Sequence, residues 1–176
     1  MGKNKKLKSI KVKCKFLFII FFALLTALLL NTFVVSNTRI IGKSMSPLLN
    51  ENDWVIVNRL AFLNCDPTFG DVVILKKPDL TNETIIKRIV GTPLDTIEIK
   101  NGKLYLNGNL VENDFAKMDE NENMSIITVP KNCYFVMGDN TSESNDSRKW
   151  TNPFVNNNEI TGKVIFKYFP KPRIIK

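Results

Sequence analysis

The sequence predicts a mainly β protein, in which an antiparallel β-sheet domain follows one N-terminal transmembrane helix. Three observations lead to this prediction. An uncharged apolar run occupies residues 16–35, short β-rich runs recur through residues 36–176, and two Asn-Gly pairs separate alternating segments. Residues 36–176 are enough for one domain with a hydrophobic core and hardly enough for two.

The apolar run reads FLFIIFFALLTALLLNTFVV. A helix of this length spans roughly the 30 Å hydrocarbon core of a bilayer. Lysines crowd its N-terminal side, whereas only Arg39 follows closely on the other side. The positive-inside rule therefore places residues 1–15 in the cytoplasm and residues 36–176 outside, in a single-pass protein of the cell membrane.

A cleaved signal peptide is the alternative interpretation of the same run. Val34 and Ser36 could be the small residues that precede a cleavage site. The apolar run is longer than the roughly 7–15 residues typical of such signals, which favours an uncleaved anchor.

The net charge of +8 does not indicate a nucleic-acid partner. Seven of the 25 basic residues lie in the N-terminal tail, residues 1–15, and the remainder of the chain has 18 basic and 17 acidic residues. The predicted β domain is thus nearly neutral and lacks the basic face that neutralises a phosphate backbone. The excess charge belongs to the tail, and the expected partner there is the lipid bilayer.

The cysteines carry little information. Cys14 lies at the cytoplasmic edge of the predicted helix, while Cys65 and Cys133 fall on its outer side. The last two could form a disulfide or could be two buried unpaired thiols, and the sequence leaves both open. Because the chain has no CxxC spacing and no histidine, we do not expect a zinc site.

Strands are predicted where β-branched and aromatic residues lie between Asn, Asp, Gly and Pro. Asn101-Gly102 joins two alternating segments and is followed by Asn107-Gly108, which is the strongest short signal for hairpin turns. The predicted strands are Trp54–Val57, Asp71–Leu75, Glu83–Val90, Thr96–Lys100, Lys103–Leu106, Cys133–Met137 and Ile160–Phe169.

The absence of histidine restricts the chemistry available to Ser44, which lies a few residues beyond the apolar run. Ser-His-Asp and Cys-His arrangements need an imidazole. The Gly-x-Ser-x-Gly pattern of α/β-hydrolases fails because Ser46 stands at its last position. A serine paired with a neutral lysine remains possible.

Lys87 is the candidate base because strand periodicity gives it apolar neighbours. It shares one face of the strand with Ile85 and Ile89, and Arg88 lies on the other face. Burial among such residues can lower a lysine pKa from about 10.4 by several units. The competing interpretation is an exposed lysine whose stem covers apolar surface, which is the commoner case.

Three blocks of the sequence, in this order, resemble the motifs of bacterial type I signal peptidases of the S26 type. The blocks are Ser44-Met45-x-Pro47, Lys87-Arg88-Ile89-Val90-Gly91-x-Pro93-x-Asp95 and Gly138-Asp139-Asn140-x-x-x-Ser144-x-Asp146-Ser147-Arg148. Gly70-Asp71-Val72-Val73 and Gly162-Lys163-Val164-Ile165-Phe166 resemble intervening and closing segments of the same family. The short chain is similar to the small Gram-positive forms.

The resemblance implies a membrane-anchored serine endopeptidase that removes N-terminal signal peptides from exported preproteins without a cofactor. Ser44 would be the acylating nucleophile and Lys87 the general base. Ser144 would hydrogen-bond the lysine nitrogen, and Asp146 and Arg148 would form a supporting ion pair. Asp139 and Asn140 would shape the surrounding loop. The expected lining of shallow pockets for small substrate side chains is Ile41, Met45, Ile85 and Ile86.

Gly42 departs from family members that carry a serine there to help hold the oxyanion, since glycine has no hydroxyl to donate. Two alternatives from other classes also stand beside the main interpretation. One is an inactive, membrane-anchored binding domain, and the other is a sortase-like transpeptidase, which would need a cysteine paired with histidine. A dedicated peptidase for pilin or another surface protein would share the chemistry but not the substrate range, and the oligomeric state is not predicted.

Overall fold

The computed structural model describes residues 15–28, 34–76, 84–112, 115 and 118–175. Residues 15–28 form a helix whose side chains are exposed, and residues 1–14 and 29–33 lie outside the described parts. No helix among the described residues has both the length and the apolar character needed to cross a bilayer. Val35, predicted as the last helical residue, is instead the first residue of a strand and pairs with Asn58.

Twelve strands are present in the described parts of the chain, in agreement with the mainly β prediction. Their bounds are β1 (Val35–Arg39), β2 (Trp54–Asn58), β3 (Val72–Lys76), β4 (Thr84–Gly91), β5 (Thr96–Lys100), β6 (Lys103–Leu106), β7 (Asn109–Leu110), β8 (Met124–Thr128), β9 (Cys133–Met137), β10 (Val155–Asn156), β11 (Ile160–Phe169) and β12 (Arg173–Ile174). A single turn of 3₁₀ helix, Asn157–Glu159, separates β10 from β11.

The larger sheet has the strand order β1-β2-β11-β3-β4-β9-β10, with β12 added beside β11, and all its pairings are antiparallel. Strand β1 stands at one end of this order, so one of its edges has no partner strand among the described residues. Strand β9 pairs with β4 only from Arg88 onwards. The first half of β4 therefore also has one edge without a described partner.

The smaller sheet has the order β7-β6-β5-β8 and contains the predicted hairpin. Asn101 and Gly102 have φ values of 49° and 68°, and Asn107 and Gly108 have values of 52° and 78°. Both central residues of each turn are thus in the left-handed region, as the Asn-Gly signal predicts.

Three clusters of buried side chains form the core. One lies beneath the loop that follows β1 and includes Met45, Leu49 and Val55. The other two bury the opposite faces of β4 and β9: Val90 with Phe135 packs against the smaller sheet, and Ile89 with Val136 packs against Trp150. Burial on both faces fixes the central strands that carry the candidate site.

Neither Cys65 nor Cys133 forms a disulfide among the described residues. Cys65 is exposed and Cys133 is half-buried, so the interpretation as two buried thiols is wrong for Cys65. Their sulfurs donate to different acceptors, the carbonyl oxygen of Ala61 at 2.9 Å and Oδ1 of Asn156 at 3.5 Å.

Candidate active site

Ser44 lies in a loop that leaves β1 and returns to β2. The loop is closed at its base, where the N–H of Ile40 donates to the carbonyl of Asp53 at 2.8 Å. Met45 anchors the loop from within, because its side chain is only 1% exposed and belongs to the core cluster of Leu49 and Val55. The adjacent residue Ser44 points away from this core and is half-buried at the surface of the domain.

Asn140 fixes this loop from the other side. Its backbone N–H donates to the carbonyl of Ser44 at 3.0 Å, and its Nδ2 donates to the carbonyl of Lys43 at 3.1 Å. The prediction placed Asn140 in a loop around the site, and the two hydrogen bonds show which atoms it contacts.

The side chain of Lys87 reaches Ser44 from β4. Nζ of Lys87 donates to Oγ of Ser44 at 2.9 Å, and the residue is 4% exposed. Burial lowers the pKa of Lys87 to about 8; Asp146 opposes this shift, whereas the positive charges of Arg148 and Lys149 add to it. The amine therefore loses its proton within a pH unit or so of neutrality, which an exposed lysine does not.

Asp146 and Arg148 form the predicted ion pair. Nε and NH2 of Arg148 donate to the two carboxylate oxygens of Asp146, each at 2.9 Å, and Asp146 also accepts the N–H of Gly138 at 3.0 Å. Burial alone would raise the pKa of Asp146, but the hydrogen bonds and charge of Arg148 outweigh it and the pKa is lowered. Asp146 thus stays ionised next to the lysine.

Ser144 is buried beside the site but does not make its predicted hydrogen bond. The amine of Lys87 donates to Oγ of Ser44 instead, and the hydroxyl of Ser144 lies near the carboxylate of Asp146, where it helps to lower the pKa of that carboxyl. Its side chain lies against Gly138, where a Cβ on residue 138 would collide with Oγ of Ser144 and the carbonyl oxygen of Ser44. Glycine at 138 is what allows these segments to approach.

Asp139 pairs with Arg88, a residue that the sequence placed only on the strand face opposite Lys87. Nε and NH2 of Arg88 donate to the two oxygens of Asp139, each at 2.8 Å, and NH1 donates to the carbonyl of Gly70 at 2.6 Å. The ring of Phe115 covers the guanidinium, with 4.6 Å from Cζ to the ring centroid. The Lys87-Arg88 and Gly138-Asp139-Asn140 blocks are therefore joined directly by this ion pair, and also through Ser44, which contacts both Lys87 and Asn140.

Two hollows meet at Ser44, Ile85 and Lys87. The larger, of about 500 Å³, lies between the end of β1 and the start of β4. Its lining is Thr38, Arg39, Ile40, Ile41, Ser44, Thr84, Ile85, Ile86 and Lys87. The smaller, of about 320 Å³, is lined by Gly42, Lys43, Ser44, Ile85, Lys87, Glu143, Asn145 and Trp150.

Three of the four residues predicted to line a substrate pocket lie in the larger hollow. Ile85 and Ile86 are half-buried in its wall, and Ile41 is 90% exposed at its edge. The prediction that Met45 lines the pocket was wrong, because the side chain of Met45 is buried in the core beneath its loop. Within the described residues, no group of His, Cys, Asp or Glu side chains could hold a metal ion.

Serine hydrolases that work without histidine can pair the serine hydroxyl with a buried lysine. Ser44 and Lys87 have this arrangement, at the junction of the two hollows. The sequence matches the signal peptidase family, peptidase S26, over residues 13–169. The chain belongs to this family and is a hydrolase of the signal peptidase type.

Two individual relatives agree with this assignment. The "Probable signal peptidase I-1" of Synechocystis sp. is 32% identical over 86% of this chain and 80% of its own length. The "Signal peptidase I S" of Bacillus subtilis is 35% identical over 84% of each chain. The crystal structure of a signal peptidase I from Enterococcus faecalis is 29% identical, covers 56% of this chain and 96% of its own, and gives a TM-score of 0.47.

Proposed function

We propose that this protein is a membrane-anchored endopeptidase that removes signal peptides from exported preproteins through a Ser44–Lys87 dyad. The observation that carries the proposal is the 2.9 Å contact between Oγ of Ser44 and the buried amine of Lys87. A contact of this length is within reach for direct proton transfer, and a base with a pKa near 8 is well matched to neutral conditions.

The reaction follows from these two groups. Oγ of Ser44 attacks the scissile carbonyl while neutral Lys87 takes its proton, and the lysine then gives that proton to the departing amine. This leaves the signal peptide esterified to Ser44. A water that Lys87 deprotonates attacks the ester, and the proton returns to Oγ as the signal peptide leaves.

The oxyanion of the tetrahedral intermediate can be held by the backbone of the Ser44 loop. The N–H of Ser44 donates to no acceptor among the described residues, so it is available for this role. Gly42, with φ of +83°, adds no side-chain donor and lines the smaller hollow. One such donor can contribute about 10²–10³ in rate.

The larger hollow suits an extended peptide. It lies between an edge of β1 and the first half of β4, and both edges lack a partner strand among the described residues. A peptide strand added there would satisfy backbone groups on both sides while its side chains meet Ile41, Ile85 and Ile86. The apolar side chains of Ile85 and Ile86 in its wall support a preference for small apolar side chains before the cut.

The membrane anchor rests on the sequence. Residues 16–35 carry no charge, seven lysines precede them, and the family match begins at residue 13. This arrangement supports a cytoplasmic N-terminus, a single crossing and a catalytic domain at the outer surface of the cell membrane, next to substrates tethered by their own signal segments.

The proposal is tested by the rate of preprotein cleavage against pH, with the full chain in detergent. Because neutral Lys87 is the active form and its pKa is about 8, kcat/KM should rise about tenfold per pH unit below pH 8 and level off above it. The matched control is a preprotein with a large residue directly before the cut, which should stay intact. A rate that is constant from pH 6 to 9 would contradict lysine as the base.

A further inference from the structure

Glu122, which lies just before β8 of the smaller sheet, contacts Arg148 of the candidate active site. Oε1 of Glu122 accepts a hydrogen bond from NH1 of Arg148 at 2.6 Å, in an ion pair where the arginine side chain is 3% exposed and the glutamate 28%.

Glu122 is held in place by the hairpin beneath it. The N–H of Gly102 donates to the carbonyl of Glu122 at 2.9 Å, and the N–H of Glu122 donates to the carbonyl of Asp119 at 2.9 Å. A Cβ at residue 102 would collide with that same carbonyl of Asp119, so glycine lets the turn and the loop pack together. The carboxylate therefore projects from a fixed backbone.

Arg148 connects Glu122 to the dyad. Its Nε and NH2 hold Asp146, its NH2 also donates to the carbonyl of Thr141 at 2.8 Å, and its NH1 has Glu122. Asp146 in turn accepts the N–H of Gly138, the residue packed against the carbonyl of Ser44. The contacts form a chain that runs from the smaller sheet to the serine loop.

We propose that Glu122 is a positioning residue, which fixes the Arg148 guanidinium and, through Asp146 and Gly138, the placement of Ser44 against Lys87. Glu122 acts because its side chain is long enough to bring an oxygen to NH1 of Arg148, and not because the side chain is charged. The inference rests on the dyad proposed above. If the Ser44→Ala and Lys87→Ala variants are inactive while a Glu122 variant is normal, only this inference fails.

The test compares three substitutions of Glu122 in the full chain. Gln keeps the reach and removes the charge, Asp keeps the charge and shortens the reach, and Ala removes both. We expect Glu122→Ala and Glu122→Asp to lower kcat about tenfold or more with KM within about twofold, since small misplacements of reacting groups have large effects on rate. Glu122→Gln should stay within about threefold of the wild-type kcat.

Glu120→Ala is the matched control, because Glu120 is an exposed acidic residue in the same turn with no hydrogen bond or ion pair to a described residue. It should behave as wild type. Each rate is divided by the amount of folded protein, which is measured from the amplitude of thermal unfolding. If Glu122→Ala does not fold, the comparison of Glu122→Gln with Glu122→Asp tests the inference. The inference is overturned if Ala or Asp keeps the wild-type kcat, if Gln is as impaired as Asp, or if the loss lies in KM.

Discussion

Replacing Lys87 with methionine should abolish preprotein cleavage without weakening the fold. The substitution removes the amine that contacts Oγ of Ser44, and losing a general base that also activates the nucleophile costs about 10³-fold or more in kcat. Stability should be unchanged or higher, because the unfavourable burial that lowers the lysine pKa disappears with the amine.

The measurement is initial-rate cleavage of a preprotein, with thermal unfolding of the same samples. Lys103→Met is the control, since Lys103 is an exposed lysine on β6 in the smaller sheet. Cleavage by Lys87→Met at more than about a tenth of the wild-type rate would rule out the lysine as the base.

Replacing Arg88 with methionine should have the largest effect on stability. The side chains of Arg88 and Asp139 are 7% and 3% exposed, so the substitution leaves a buried carboxylate without its bidentate partner. Breaking a buried pair in this way costs about 3–5 kcal/mol of the free energy of unfolding. Activity should fall as well, because Asp139 precedes Asn140, which holds the Ser44 loop.

Urea unfolding of the full chain in detergent measures this loss. Adding Asp139→Asn to Arg88→Met should recover more than half of it, because the buried charge is then gone. Arg39→Met is the control, since Arg39 is exposed and its side chain contacts Asn52. An Arg88→Met variant within about 1 kcal/mol of wild type would show that the pair does not stabilise the fold.

The sequence was most informative where the signal is local. The positive φ values at Asn101-Gly102 follow from a pattern a few residues long. The period of the strand made Lys87 a candidate for burial between Ile85 and Ile89, and the structure shows that it is buried. Ile160–Phe169 forms a strand with the predicted bounds, and Pro170, directly after it, explains where the strand ends.

The sequence was least informative where segments far apart in the chain meet. Arg88 and Asp139 are 51 residues apart, and Arg148 and Glu122 are 26 apart, so no periodicity connects them. Met45 turned inward because a tight loop, not a strand, sets its direction. Ser144 was assigned a hydrogen bond from the resemblance, whereas here its side chain packs against Gly138.

The roles of Ser44 and Lys87 are tested most directly by the mass of the intact chain after reaction with a serine-directed acylating inhibitor. We expect one added acyl group, on the proteolytic peptide that contains Ser44, and no addition to the Ser44→Ala variant. We also expect Lys87→Met to be acylated at least about 10²-fold more slowly than wild type. Acylation at another residue, or equal rates in Lys87→Met and wild type, would contradict the dyad.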